Sequence, residues 1–238
     1  MTSLQVAHLL AEHDIPVGSR NRIIDPERPE QSLLDHRDQP ENAQLGWEAG
    51  ALTARLHALP TDDGAACAGH GTALPAASIG ERIPAYETLR ASLPSRSGRK
   101  VRAVLDAIGA RLHEAPHDGS LLHGRLVPDL IAVQPGPGSA GRVQLTSLER
   151  SGAGPDGADL GTWLARCRTA RSPELADAFL AGYASLLELP DEQELGAWTA
   201  RALLLWGLDP QHLADGESAD SRFGLAETVL DGGVLAAR

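Results

Sequence analysis

The chain has 238 residues, 42% of them hydrophobic, and a formal net charge of −11. This length can bury a substantial core as one domain or as two closely packed lobes. The negative charge argues against nucleic acid and anionic membranes as partners and makes cationic small molecules or basic peptides the easier ligands, although solubility alone is the simpler explanation.

Cysteine usage and hydropathy indicate the compartment. Cys67 and Cys167 are the only cysteines, which is typical of a reduced cytoplasmic protein without a disulfide framework. No apolar run approaches the roughly 20 residues of a membrane span, and the N-terminus lacks the basic and apolar regions of a signal peptide. We therefore predict a cytoplasmic protein with no membrane partner.

The spacing of hydrophobic residues predicts helices before and after one small β-hairpin. The first half is predicted to hold helices at 3–13, 42–59, about 80–92 and 99–114, with weak strands near 22–24 and 32–34. Strands are expected at 120–123, 130–133 and 143–147, and the turn QPGPGSAG joins the last two. Helices at 158–169, 173–187 and 191–207 follow, and then a polar tail with one possible turn of helix near 220–230. This order is α+β and mainly helical.

The stretch Leu121 to Val133, LLHGRLVPDLIAV, is the most informative motif. It resembles the catalytic loop of the aminoglycoside phosphotransferase and choline kinase-like family, which is hydrophobic-His-Gly-Asp-Leu-His-Pro-x-Asn followed by a short strand. The matching positions are His123, Gly124, Leu126 and Pro128. The resemblance implies a kinase-like helical lobe with a small β-hairpin and a reduced N-terminal lobe.

Weaker matches to the same family occur in the same order along the chain. They are LLAEHDIPV, DPERPEQSLLDHRD, EAGALTARLHALP with His57, GAGPDGADLGTWL with Asp159, and the helical pair that ends near residue 207. On this basis we divide the chain into a remnant of the N-terminal lobe at 1–41, a helical lobe with the hairpin at 42–208, and a polar tail at 209–238.

The departures fall on the residues that this family uses for catalysis. Arg125 occupies the position of the aspartate general base, Leu130 that of the magnesium-binding asparagine, and Ser147, within LTSLER, that of the metal-binding aspartate. A guanidinium stays protonated, with a pKa above about 12, and cannot act as a general base. No lysine precedes Lys100, and the first three strands of the family's N-terminal lobe have no counterpart. The resemblance thus implies a degenerate, truncated relative that is not an active ATP-dependent kinase, and we expect no metal or cofactor.

Several residues around this loop are candidates for a binding or catalytic role. His57 and His123 are expected to be structural, with acid/base work as the alternative for His123. The residues predicted to line the former active-site groove are Asp129, Ser147, Glu149 and Asp159. We expect Asp129 and Glu149 to pair with Arg125, and Asp159 to hold backbone amides of the loop or Arg125.

Two other patterns are weaker. His113 to His117 spells the HExxH zinc motif, but Pro116 would disrupt the helix that the motif requires. Cys67 and His70 could form a nucleophilic pair in a flexible loop, although nothing indicates an orienting group or an oxyanion hole.

Three functions remain open from the sequence. One is a binding module in bacterial peptide natural-product biosynthesis that holds a modified precursor peptide or a partner enzyme. Another is a repurposed enzyme, such as a lanthipeptide thioether cyclase, in which Arg125 polarises a carbonyl and His123 or His57 takes the thiol proton. A residual aminoglycoside-type phosphotransferase is the third, and the missing charges disfavour it.

Overall fold

The computed structural model describes residues 3–18, 31–59, 95–112, 120–134, 143–207 and 216–232. Its helices are α1 (Ser3–Glu12), α2 (Asn42–His57), α3 (Ser95–Leu112), α4 (Gly157–Ala170), α5 (Pro173–Ala184), α6 (Glu192–Gly207) and α7 (Gly216–Gly232). Its strands are β1 (Gln31–Ser32), β2 (Ser120–Leu122), β3 (Ile131–Val133), β4 (Val143–Leu145) and β5 (Gly152–Gly154). The α+β, mainly helical class predicted from the sequence is confirmed.

The chain divides into two compact units. The first comprises residues 1–73, 119–156 and 166–189, and the second comprises 74–118, 157–165 and 190–238. These units cut across the boundaries at 41/42 and 208/209, which stay a prediction.

The first unit contains both small sheets. Strands β3 and β4 form the predicted antiparallel hairpin, and β1 adds to the free side of β3 with Gln31 opposite Val133. Val17 bridges to Leu145 on the other side, in parallel. The N-terminal chain therefore pairs with both edges of the hairpin. Residues Ile131 to Val133 are all buried, which accounts for their continuous apolar run.

Strand β5 was not expected from the sequence. It pairs antiparallel with β2, with Leu121 opposite Ala153. The Gly-Ala-Gly composition of β5 gives no strand signal, because glycine and alanine are depleted in strands. The predicted strand near 22–24, the helix at 80–92 and the turn between β3 and β4 lie outside the described residues.

Helices α2 and α5 of the first unit cross with their backbones almost in contact. A Cβ atom on Gly50 would lie 1.9 Å from the Phe179 carbonyl oxygen, and one on Gly182 would lie 2.0 Å from the Trp47 carbonyl oxygen. At Gly46 a Cβ would lie 2.8 Å from the end of the Leu175 side chain, which can shift. Only glycine fits at Gly50 and Gly182, so these two residues set how close the helices come.

The second unit is built from α3, α6, α7 and the first part of α4. Its largest buried side chains among the described residues are Trp163, Trp198 and Phe223, each at most 1% exposed. Gly157 and Gly161 leave room for the Trp198 ring and backbone.

The C-terminal segment contains a long helix where the sequence predicted a polar tail. The expectation of a polar tail with one turn of helix was wrong, because α7 is a full 17-residue helix. Its buried residues recur at three- and four-residue spacing, which forms one apolar face. They are Ala219, Phe223, Ala226, Val229 and Leu230. Across the residues that the structure describes, no helix is long and apolar enough to span a bilayer.

The glycine crossing makes a stability prediction. Gly50→Ala places a methyl group inside the van der Waals radius of the Phe179 carbonyl oxygen, so we expect a loss of about 3 kcal/mol or more in the free energy of unfolding. Gly109→Ala in α3 is the matched control, because no atom lies within 4 Å of its Cβ position. That variant should gain about 0.5–1 kcal/mol from helix propensity. Urea denaturation measures both, and similar values for the two variants would contradict the crossing.

Candidate functional site

The loop between β2 and β3 is held in place by a buried histidine. His123 is fully buried, and its Nδ1 accepts the Arg125 backbone N–H at 3.3 Å. The proton therefore sits on Nε2, which donates to the Thr146 carbonyl at 2.7 Å. Both ring nitrogens are engaged by backbone groups, as a bracing role requires, and acid/base work would first have to break one of these bonds.

Thr146 ties the end of β4 to the same loop. Its backbone N–H and its hydroxyl both donate to the Leu130 carbonyl, at 3.1 Å and 2.7 Å. Leu130, at the position of the family's asparagine, thus contributes its main chain to the loop while its side chain offers no oxygen to a metal. Within the described part of the chain, no group of three or more His, Cys, Asp or Glu residues could hold a metal ion.

Two residues of the site have left-handed backbones. Gly124 has φ +78°, and a Cβ there would lie 1.9 Å from the Arg150 carbonyl oxygen. Ser147 has φ +63° and ψ +49°, although it carries a side chain. This conformation costs a non-glycine residue about 1 kcal/mol. The strain persists at the position where the resemblance placed a metal-binding aspartate.

Asp129 corrects one expectation about the charges. It does not pair with Arg125, because both of its carboxylate oxygens accept hydrogen bonds from Arg166 on α4, at 2.7 Å and 2.8 Å. The hydrogen bonds from Arg166 to Asp129 raise the pKa of this guanidinium above its ordinary value. Since the pair is partly exposed, it contributes about 1 kcal/mol or less to stability. The sequence did not predict a role for Arg166, because its pairing with Asp129 joins distant segments of the chain.

Arg125 is exposed. Its side chain forms no hydrogen bond or ion pair with any residue that the structure describes. Glu149 is also exposed, on the turn Leu148–Arg150. The expected pairing of Glu149 with Arg125 is therefore not observed, and Arg125 presents its charge to solvent.

His57 lies in a second buried network of the first unit. Its Nδ1 is 3.0 Å from the Tyr183 hydroxyl oxygen, and that hydroxyl donates to Asp156 Oδ2 at 2.8 Å. The imidazole side chain has no solvent exposure, and its ring meets the Tyr183 ring edge-on, with centroids 5.6 Å apart. The network joins α2, α5 and the residue before α4, which agrees with the structural role expected for His57. Tyr183 and Asp156 carried no recognisable signal in the sequence.

Asp159 and Cys167 complete the candidate residues of the described part. Asp159 lies in the second unit, 1% exposed, in the first turn of α4, where a carboxylate interacts favourably with the helix dipole. Its predicted role beside the loop stays a prediction. Cys167 is buried, and desolvation raises the pKa of its thiol, so it is a packing residue. Cys67, His70 and the HExxH segment lie outside the described residues.

The loop, hairpin and flanking helices define a class of fold, that of the kinase-like phosphotransferases. Three solved structures place the chain within it. An aminoglycoside-3'-phosphotransferase of type VIII has 20% identity and a TM-score of 0.57, covering 82% of this chain and 76% of its own. A choline/ethanolamine kinase family protein from Mesorhizobium loti has 15% identity and a TM-score of 0.63, with 97% and 78% covered. The choline kinase LicA from Streptococcus pneumoniae has 16% identity and a TM-score of 0.61, with 96% and 79% covered.

The chain thus has the fold of the aminoglycoside phosphotransferases and choline kinases, as the motif at 121–133 predicted. At these identities the likeness concerns the fold. No family model matches the sequence, and no curated protein matches it either.

The strained backbone at Ser147 makes a prediction. Ser147→Gly should raise the free energy of unfolding by about 0.5–1 kcal/mol, because glycine adopts φ +63° without the steric cost of a Cβ atom. Ser147→Ala removes the hydroxyl and keeps the Cβ, so it should change stability little. Thermal unfolding of the two variants separates the cases, and equal effects would show that the backbone is not the source of strain.

Cys167 makes a prediction about reactivity. Only the thiolate reacts with disulfide reagents, and burial raises the pKa of this thiol, so less thiolate is present at pH 8 than in an exposed cysteine. In a Cys67→Ser background, Cys167 should react with Ellman's reagent far more slowly in the native state than in denaturant. Raising the pH to 9 should leave the native rate well below that of a free thiol. A fast native reaction would contradict the burial.

Proposed function

We propose that this protein is a kinase-fold binding protein that does not transfer phosphate and that holds a peptide or a partner protein over its former catalytic loop. The observation that carries the proposal is the charge on that loop. Arg125 stands where a general base is needed, and the loop's own carboxylate, Asp129, is committed to Arg166.

The loss of phosphoryl transfer follows from the residue types. The reaction needs a group to orient the acceptor hydroxyl and oxygen ligands for Mg²⁺, which compensates the charge on the phosphates. Arg125 and Leu130 offer neither, and the Ser147 hydroxyl is a poor substitute for a carboxylate. Losing these functions together should cost many orders of magnitude in rate.

The support for binding comes from what the loop keeps. His123 still braces the turn, Gly124 still admits the Arg150 carbonyl, and Ser147 still adopts a costly conformation. Strain of this kind persists where the surrounding structure imposes it, and it is found most often at functional sites. A loop shape preserved without its catalytic charges is what a protein that binds rather than reacts requires.

The proposed setting is bacterial peptide natural-product biosynthesis, with a cytoplasmic location and a modified precursor peptide or partner enzyme as the ligand. It rests on analogy with the small, degenerate phosphotransferase-like proteins of such pathways. A short neighbouring gene rich in Ser, Thr and Cys would support it, and a neighbourhood without any precursor gene would argue against it.

The cyclase alternative receives no support from the contacts. It needs His123 or His57 to take a thiol proton, yet both rings are buried and His123 has both nitrogens bonded to the main chain. For His123 to act as a base the loop would have to rearrange, and for His57 to do so α2 would have to rearrange.

The proposal makes a nucleotide prediction. ATP with Mg²⁺ should leave the melting temperature unchanged, whereas a nucleotide at about a hundred times its dissociation constant would stabilise the fold by about 2.7 kcal/mol. No label should pass from gamma-³²P-ATP to protein, peptide, choline or aminoglycoside acceptors. The choline kinase from Streptococcus pneumoniae serves as the positive control. A magnesium-dependent shift accompanied by label transfer would refute the proposal.

A further inference from the structure

Arg125 and Arg150 lie on two segments whose backbones are in contact beside the loop. The Cβ position of Gly124, immediately before Arg125, lies 3.2 Å from the Arg150 Cβ and 1.9 Å from the Arg150 carbonyl oxygen. The two arginines are thus on neighbouring turns of the first unit whose backbones touch. Both are exposed, and neither guanidinium forms a hydrogen bond or ion pair with another described residue.

The carboxylates on the same two turns are too few to neutralise this pair. Asp129, four positions from Arg125, has both oxygens occupied by Arg166. Glu149 is the remaining carboxylate on these two turns, so the two arginines leave a local excess of positive charge. The chain as a whole has a net charge of −11, so this excess is local to the two turns.

The backbone fixes where the two arginines start. Gly124 cannot move away without losing its left-handed turn against Arg150, and Ser147 begins the turn that carries Arg150 with a left-handed backbone of its own. The left-handed backbones fix where the two side chains leave the main chain, so less backbone ordering is needed when they bind a ligand. The pair therefore differs from two arginines on a mobile surface.

We propose that Arg125 and Arg150 together bind the phosphoryl group of a phosphoserine or phosphothreonine in a peptide. This rests on the proposed binding function and specifies its ligand. A phosphomonoester carries about −1.5 to −2 charges at pH 7 and three acceptor oxygens. Two guanidinium groups match that charge and can each bind in bidentate fashion, which is a recurring mode of phosphopeptide recognition. No bond is formed or broken.

The test uses the full chain and fluorescent peptides of degenerate sequence around one fixed residue. That residue is phosphoserine in one pool, serine in the second and glutamate in the third, and binding is followed by fluorescence anisotropy. The phosphoserine pool should bind at least tenfold more tightly than the serine pool. Arg125→Gln and Arg150→Gln should each weaken its binding by about tenfold. Arg171→Gln, an exposed arginine at the end of α4, is the matched control and should leave binding unchanged.

The outcomes separate this inference from the function on which it rests. Equal binding of the phosphoserine and serine pools, or no effect of either arginine substitution, would overturn the two-arginine site while leaving a peptide-binding protein. Inorganic phosphate that competes as well as the phosphopeptide would overturn the peptide assignment. Absence of binding by every pool would overturn the inference as well, and nucleotide-dependent label transfer would overturn the proposed function itself. Unchanged melting temperatures of the variants establish that their folds are intact.

Discussion

The contact on which the site depends is the one between the loop after β2 and the turn after β4. His123 links the two by accepting the Arg125 N–H and donating to the Thr146 carbonyl. Gly124 then brings the loop against the Arg150 carbonyl at a distance that no side chain allows. The candidate residues on these two segments take their positions from this junction of one buried imidazole with main-chain groups.

Arg125 and Leu130 take part in this junction only through their main-chain groups, so it tolerates changes in those two side chains. The side chain at position 125 can vary without disturbing the hydrogen bond that the backbone N–H of this residue makes. The same holds for Leu130, whose carbonyl supports Thr146 independently of its side chain. The backbone geometry of this loop is therefore independent of the charge that the side chains at positions 125 and 130 carry.

The sequence predicted most of the fold and only part of the site. The motif at 121–133 located the loop, and hydrophobic periodicity located α2, α4, α5 and α6 to within a few residues, because both signals are local. Strand β5 was not predicted because its three small residues have no strand preference of their own. The full length of helix α7 was not predicted because its flanking residues are polar. The spacing of Phe223, Ala226 and Val229 nevertheless matches a helical face.

The charges of the site were harder to predict for a physical reason. Asp129 lay close to Arg125 in sequence, so a pair was expected, but the fold brings Arg166 from a later helix into bidentate contact. The Tyr183–Asp156 partnership of His57 likewise joins three separate segments. Pairings of this kind depend on tertiary geometry, which a single sequence without periodic signal does not specify.

The glycine face shared by α2 and α5 has a consequence for how the chain is made. Gly46 and Gly50 leave the ribosome long before Phe179 and Gly182, and at a synthesis rate of about 5–20 residues per second the wait is on the order of ten seconds. During that time the glycine face of α2, where no side chain shields the backbone, has not yet met α5. Nascent chains should therefore rely on chaperone protection in this interval, and yield in the cell should fall when elongation slows between the two helices.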